Sequence, residues 1–332
     1  MSSKGNRLRV NLLIHVHAAG LRQDLRVWRR ALRASGAEVT ITAFNPQFYH
    51  RAIRAVRKIA GRLAPRPPFD VNIFVENIVE SWCPLARVNV FVPHQEWVFE
   101  DVRAKMHLMD YIFCKTRYAA QLFGASGAEV RYIGFTSLDR YDPAVKKDYN
   151  RFLHVAGSSI QKGTGAVNDA WLRHPEWPCL TLCSYEPAVR AASAANITKL
   201  TSFIEESALR RMQNASGIHL CPSEAEGFGH YIVEAMSIGA LVVTTDAPPM
   251  NELVRPDRGA LVGYGRTVPQ GMGTNFYIDT GNLEHTIDRI LGMDENARKT
   301  LGEHARTWFH ENDRAFLTQI RERLLEVATS NL

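Results

Sequence analysis

No stretch of the 332 residues reaches the ~18 consecutive apolar side chains that a membrane-spanning helix requires. Glycine (22) and proline (15) are too few and too scattered for a collagen-like or low-complexity chain. Cysteine is scarce and odd in number: Cys83, Cys114, Cys179, Cys183 and Cys221. No Cys-x-x-Cys occurs, and no His or Cys cluster accompanies Cys179 and Cys183 to complete a zinc site. Reduced thiols in a cytosolic protein are the simplest reading, so the expected location is cytoplasmic. No Asp-x-Asp is present to suggest a bound metal, and no repeat of ~20–50 residues is visible. No Cys/His finger, RNP-like aromatic run or recognition-helix signature is found, which argues against a nucleic-acid partner.

What is present is an ordinary globular composition, 45% hydrophobic and 22% charged, on a chain long enough for two domains. The charge is divided. Residues 1–150 hold 23 basic and 13 acidic side chains, a balance of +10, and residues 151–332 hold 17 and 21, a balance of −4. A basic half joined to an acidic half suits an anionic partner such as a membrane surface or an anionic saccharide, and equally suits a solvated face with no partner. The segment 50–66 concentrates the effect. It has six basic residues (Arg51, Arg54, Arg57, Lys58, Arg62, Arg66) and no acid, around apolar Ile53, Val56, Ile59 and Leu63. Such a helix can lie on an anionic membrane or pack its apolar stripe on a sheet with its cations in water, so peripheral attachment to the inner membrane face is one expectation. Lys4, Arg7 and Arg9 before an apolar run resemble a short signal peptide, but Asn11, His15 and His17 interrupt that run, and a first strand entering a glycine turn explains it better.

The hydrophobic pattern alternates strand and helix. Strands are expected at 10–16, 39–44, 71–75, 88–92 and 111–114, then again at 152–156, 179–183, 218–221 and 241–245. Helices are expected at 21–35, 50–63, 165–172, 202–214 and 230–238, with closing helices at 283–291, 295–309 and 313–328. The polar segment 139–150 reads as a linker. This predicts an α/β protein of two Rossmann-like, doubly wound domains, 1–145 and 150–310, facing a cleft, with ligands at the C-terminal ends of strands.

Two segments carry chemistry. In the first, a buried strand ends in Glu226-Gly227-Phe228-Gly229, and a helix containing Glu234 follows. Glycines on both sides of an aromatic let backbone approach a ligand, and the helix N-terminus suits a phosphate. A carboxylate there is suited to sugar hydroxyls, whose hydrogens it accepts. A ligand with both phosphate and hydroxyls, such as a nucleotide sugar, fits; so does the plainer reading of acids favoured by a helix dipole. The second segment runs from Gly157 and Ser158 to Lys162, a strand followed by a Lys-Gly at a helix start, which makes a plausible anion cradle. Its order, Lys162-Gly163-Thr164, is not that of a Walker loop.

Glu226, Gly227-Phe228-Gly229 and Glu234, continued by Gly239, Val242-Val243 and Asp246, resemble the Glu-x7-Glu donor motif of the retaining GT-B glycosyltransferases of the large family numbered four. The resemblance implies a GT-B fold whose residues 313–330 pack back on the N-terminal, acceptor-side domain, while the C-terminal domain binds the nucleotide sugar. It implies transfer of a hexosyl group from a nucleoside-diphosphate sugar to a hydroxyl of a saccharide or lipid-linked acceptor, with no separate cofactor and no metal. Glu226 would hold the sugar, Glu234 the ribose, and Lys162 the diphosphate. Gly20, Gly157, Ser158, Gly227, Phe228 and Gly229 would line the donor, and His94 would assist from the other domain. Ser158 departs from the family, which usually has Arg there. That keeps open a non-catalytic, GT-B-like sugar-binding or membrane-surface protein.

Overall fold

The computed structural model describes residues 7–43, 67–187 and 194–329. The basic segment 50–66 and its expected helix lie outside the described residues. The chain divides into two compact units, residues 1–137 with 312–332 and residues 138–311.

In the first unit, β1 (Arg9–Ile14), β2 (Glu38–Ala43), β3 (Phe69–Val75), β4 (Ala86–Val92), β5 (Tyr111–Cys114) and β6 (Glu129–Tyr132) form one sheet in the order β2-β1-β3-β4-β5-β6. All its pairings are parallel. The central strands are near-continuous apolar runs because helices cover both faces of a parallel sheet. One polar row crosses them. Asn11, Asn72 and Asn89 stand opposite one another in register, and their amides link at 2.9 and 3.1 Å. Helices α1 (Ala19–Ala34) and α2 (Arg117–Phe123) flank the sheet.

In the second unit, β7 (Asp148–Gly157), β8 (Leu180–Ser184), β9 (Ile197–Leu200), β10 (Ser216–Cys221), β11 (Leu241–Thr245) and β12 (Ala260–Val262) are again all parallel, in the order β12-β11-β10-β7-β8-β9. This is the nucleotide-binding order, with its reversal between β7 and β10. Around it lie α3 (Thr164–Arg173), α4 (Glu206–Ala215), α5 (His230–Ser237) and α6 (Thr280–Leu291). Its core gathers Phe152, Trp171 and Trp177 with Leu180, Ile218, Leu241, Leu283 and Ile287. An antiparallel hairpin, β13 (Tyr264–Gln270) with β14 (Gly273–Ile278), was not legible in the pattern: β13 is mostly exposed, polar and contains Pro269.

Two expectations are corrected. The closing helices at 295–309 and 313–328 are one helix, α7 (Glu295–Thr329). Asp313, where the second of them was expected to begin, and Asn312 before it are used in tertiary contacts. Asn312 donates to Phe135 O at 2.7 Å, and Asp313 pairs with Arg30 and accepts from Thr136 at 3.0 Å. The segment 139–150 is not a free linker either, since residues from 138 onward belong to the second unit and β7 begins at Asp148.

The end of α7 is bound into the first unit by an aromatic trio. Phe316 meets Phe135 at 5.0 Å and Trp28 at 6.3 Å, and Trp28 meets Phe135 at 5.7 Å. All three are essentially fully buried. Phe316→Ala should therefore destabilise the first unit by about 3–5 kcal/mol. Chemical denaturation followed by tryptophan fluorescence checks this, and a loss below ~1 kcal/mol would mean the helix end contributes little packing.

Candidate functional site

The strand order places two loops side by side in the second unit. The loop after β7 carries Gly157 to Gly163, and the loop after β10 carries Pro222 to Gly229. They are stitched together by Glu224 N–H donating to Gln161 O at 2.9 Å. Gly163 makes the approach possible: its φ is +65°, and a Cβ there would lie 2.4 Å from Pro222 O. Behind it, buried His154 is held by Leu220 O at 2.9 Å and Thr164 Oγ1 at 3.0 Å. Burial pushes its pKa down to about 4, so it is a neutral strut under the loop.

This contact brings Lys162 and Glu226 together. Their side chains form an ion pair and are largely buried. Ser223 Oγ also donates to Glu226 Oε1 and lies 2.6 Å from the Tyr231 hydroxyl. Lys162 Nζ stands 4.2 Å over the Tyr231 ring. Gly227, Phe228 and Gly229 are buried in the turn. Gly229 adopts φ +106° with Leu253 Cδ1 2.9 Å from where a Cβ would sit, so the turn into α5 needs glycine. Glu234 follows in α5, buried, with Arg140 Nε 3.7 Å from its Oε2 and no hydrogen-bond partner for Oε1. Burial raises the Glu234 pKa, opposed by Arg140 and His230.

The hairpin adjoins the same loops. Phe276 N–H donates to Glu224 O at 2.7 Å, and Gln161 donates to Asn275 Oδ1 at 3.2 Å. Burial pushes the Glu224 carboxyl up to about 7, with Glu186 adding and Arg266 opposing.

The first unit holds a separate cluster at the C-terminal ends of its strands. Glu76 directly follows β3, beside the reversal between β1 and β3. It is the one non-glycine residue at positive φ (68°) among the described residues. His94 Nδ1 is 2.9 Å from Glu76 Oε2, and His94 Nε2 is 2.9 Å from Asp24 Oδ2. Fully buried Lys115 reaches the same Asp24 oxygen at 2.6 Å and His94 Nε2 at 2.7 Å. Burial and Lys115 press the His94 pKa down, but Asp24 and Glu76 outweigh them and it stands raised, at about 9. Two acids and two bases thus meet in one buried cluster.

Of the expected site residues, the structure brings Lys162, Gly227, Phe228, Gly229, Glu226 and Glu234 onto neighbouring turns of the second unit, and Gly157 ends β7. Ser158 is exposed in the loop. Gly20 is not a loop glycine: it lies in the first turn of α1, exposed, with nothing within 4 Å of a Cβ position. His94 offers no uncommitted ring nitrogen to a sugar, because both are held by carboxylates. Asp24 was detectable as an acid in the apolar stripe of α1, beside Leu21, Val27 and Trp28. Ser223, Tyr231, Glu76 and Lys115 carried no comparable signal. Among the described residues, no group of three or more His, Cys, Asp or Glu side chains is arranged to hold a metal ion, and no helix is long and apolar enough to cross a membrane.

Residues 185–308, which include Glu226, Glu234 and the hairpin, match the family model described as glycosyl transferases group 1. That stretch is similar to the group 1 glycosyl transferases. No curated protein matches the sequence. Solved structures resemble the whole chain at low identity. A glycosyltransferase from Rickettsia africae is 14% identical with a TM-score of 0.74, covering 98% of this chain and 99% of that one. Sucrose-phosphate synthase from Thermosynechococcus elongatus is 16% identical with a TM-score of 0.71, covering 96% and 99%. HepE of Anabaena, solved with UDP and glucose, is 16% identical with a TM-score of 0.69, covering 96% and 100%. These likenesses establish the fold: two parallel six-stranded, Rossmann-like sheets of the GT-B type, the group 1 stretch lying in the second.

Two substitutions test the geometry. Gly163→Ala should lower the unfolding midpoint by the equivalent of ~1–3 kcal/mol through backbone strain and the Pro222 contact. Gly165→Ala, two residues on in α3 with open space around it, should be neutral or stabilising by up to ~1 kcal/mol. Equal effects in a thermal melt would contradict the close approach. In the first unit, His94 binds its proton more tightly folded than unfolded. The stability it contributes is fully present below its unfolded pKa of 6.5 and is lost as pH rises through about 9. Thermal midpoints should fall from about pH 7 to about pH 9.5, and His94→Gln should flatten that slope; parallel slopes would remove His94 as its source.

Proposed function

We propose that the protein is a retaining glycosyltransferase. It transfers a hexosyl group from a UDP-sugar to a hydroxyl of a saccharide or lipid-linked acceptor, with no further cofactor and no metal. The observation that carries this reading is the Lys162–Glu226 pair, on the two loops that flank the strand reversal of the second unit. Ligands of doubly wound sheets bind at that position. Lys162 and Glu226 satisfy each other's charge. A nucleotide sugar can replace both partners together, its diphosphate taking the lysine and its sugar hydroxyls donating to the carboxylate. A bare sugar or a bare phosphate would leave one buried charge unpaired, which is strongly unfavourable. The choice of UDP is supported by HepE, solved with UDP and glucose, and by a trehalose-6-phosphate protein of E. coli solved with UDP-2-fluoro glucose.

In this reading the bond between the anomeric carbon and the diphosphate oxygen breaks, and Lys162 steadies the negative charge that develops on the departing UDP. The acceptor oxygen bonds to the anomeric carbon on the same face and gives its proton to the leaving phosphate. Glu226 orients the sugar, and Phe228 and Gly229 line the turn beside it. His94 stays a positioning residue of the first, acceptor-side unit, where it anchors Glu76. Ser158 supplies a hydroxyl where the family usually has Arg. That exposed serine favours one rival, a non-catalytic sugar binder.

UDP release from UDP-glucose and other UDP-hexoses, measured for wild type, Glu226→Ala and Lys162→Ala, decides between them. The transferase reading expects release by wild type and a drop of about 10²-fold or more in each variant. Thermal stabilisation by UDP-hexose without any release would establish the binder, and equal rates in wild type and Glu226→Ala would remove Glu226 from the site.

A further inference from the structure

The two sides of α1 differ in character. Leu21, Asp24, Val27, Trp28, Ala31 and Leu32 are buried on the core of the first unit. On the opposite side Arg22, Arg26, Arg29 and Arg33 are exposed. Their spacing of four, three and four sets them in one line along the helix axis, about 16 Å long from position 22 to position 33. The only acid in the helix is Asp24, and it is buried against His94 and Lys115. Among the described residues no carboxylate pairs with any of the four arginines; Arg26 has only the neutral side chain of Gln23, at 3.4 Å. Arg30, turned toward α7, does pair, with Asp313. Like charges three and four apart on a helix repel, so the line works against the fold and no internal contact offsets it.

An apolar groove adjoins the C-terminal end of this line. The Arg30–Asp313 pair and the Trp28–Phe316 contact hold α7 beside α1, and an open groove of about 460 Å³ lies between the two helices. Ala34, next to Arg33, lines it from α1, and Leu317, Thr318 and Leu325 line it from α7, together with Arg321 and Glu322. Leu325 is 56% exposed.

A line of cations alone suits any polyanion, and the groove discriminates among them. A nucleic-acid duplex offers phosphates but no aliphatic chain. An anionic phospholipid has both, a phosphate that the planar guanidinium meets in a fork and an acyl chain that an apolar groove receives. We infer that this face of the first unit docks on an anionic phospholipid surface, the arginine line on the headgroup phosphates and the groove of Leu317 and Leu325 on an acyl chain. The excess of basic residues in positions 1–150 favours the same partner. The inference stands on α1 and α7 and is independent of the nucleotide-sugar reading.

Flotation of the full chain with vesicles tests it, using phosphatidylcholine alone and phosphatidylcholine mixed equally with phosphatidylglycerol. Wild type should float with the mixed vesicles only, and less as salt is raised. The fourfold variant Arg22→Gln/Arg26→Gln/Arg29→Gln/Arg33→Gln should lose affinity by about 10²-fold or more. Its thermal midpoint should stay level or rise, because the repulsion along the helix is relieved. Leu325→Asp should weaken flotation with the arginine line intact. If circular dichroism shows the fourfold variant unfolded, Arg22→Gln/Arg29→Gln decides, with an expected loss of about 10-fold. Folded variants that float like wild type overturn the proposal. So does a loss confined to Arg51→Gln/Arg54→Gln/Arg57→Gln, which would assign the binding to the 50–66 segment, and so does wild type that binds a DNA duplex but neither vesicle.

Discussion

One close approach governs the second unit: the loop after β7 lies directly against the loop after β10. Parallel pairing of two strands distant in sequence brings the loops to the same edge, and Gly163 removes the side chain that would hold them apart. The Glu224–Gln161 backbone bond closes the seam. Lys162 faces Glu226 only because of that seam, and the hairpin adds a second attachment through Phe276 and Asn275. The position of the Lys162 cation is thus set by backbone geometry rather than by the flexible lysine side chain, whose own rotamer freedom would otherwise oppose a fixed placement.

The two units handle buried charge differently. In the first, Asp24, Glu76, His94 and Lys115 neutralise one another, and the imidazole is held at both nitrogens. Such a cluster is rigid, since moving one member would leave another charged and dry. Glu76 is also held at positive φ, a conformation that a non-glycine residue keeps only when its surroundings enforce it. In the second unit, charges are matched but hydrogen bonds are not. Lys162 and Glu226 pair, and Glu234 and Arg140 pair, yet donor and acceptor capacity remains at Nη2 and Oε1.

Strands of the two parallel sheets were legible because burial on both faces writes them as apolar runs, as in the core of β3, β4, β5 and β11. Short edge strands such as β6, β9 and β12 are partly exposed or only three or four residues long, and their pattern is lost among turns. The break expected near 310–313 failed for a physical reason. Asn312 and Asp313 have the chemistry of a helix cap, and tertiary partners took that chemistry instead. Glu226, Glu234 and Lys162 were singled out because glycine turns and helix starts have local signatures. Arg140 was not, because nothing in a polar, loop-like segment says that its guanidinium will be buried beside a carboxylate 94 residues away.

The serine at position 158 bears on how a diphosphate's charge could be met. In the described part of the second unit, cations near the two loops are already committed: Lys162 to Glu226, Arg140 to Gln213 and Glu206, and Arg266 over the Tyr277 ring near Glu224. An anion entering there gains Lys162 only by displacing Glu226, and the displaced carboxylate needs new donors at once. Hydroxyl groups on the same ligand are donors at the right place, because they move with the phosphate.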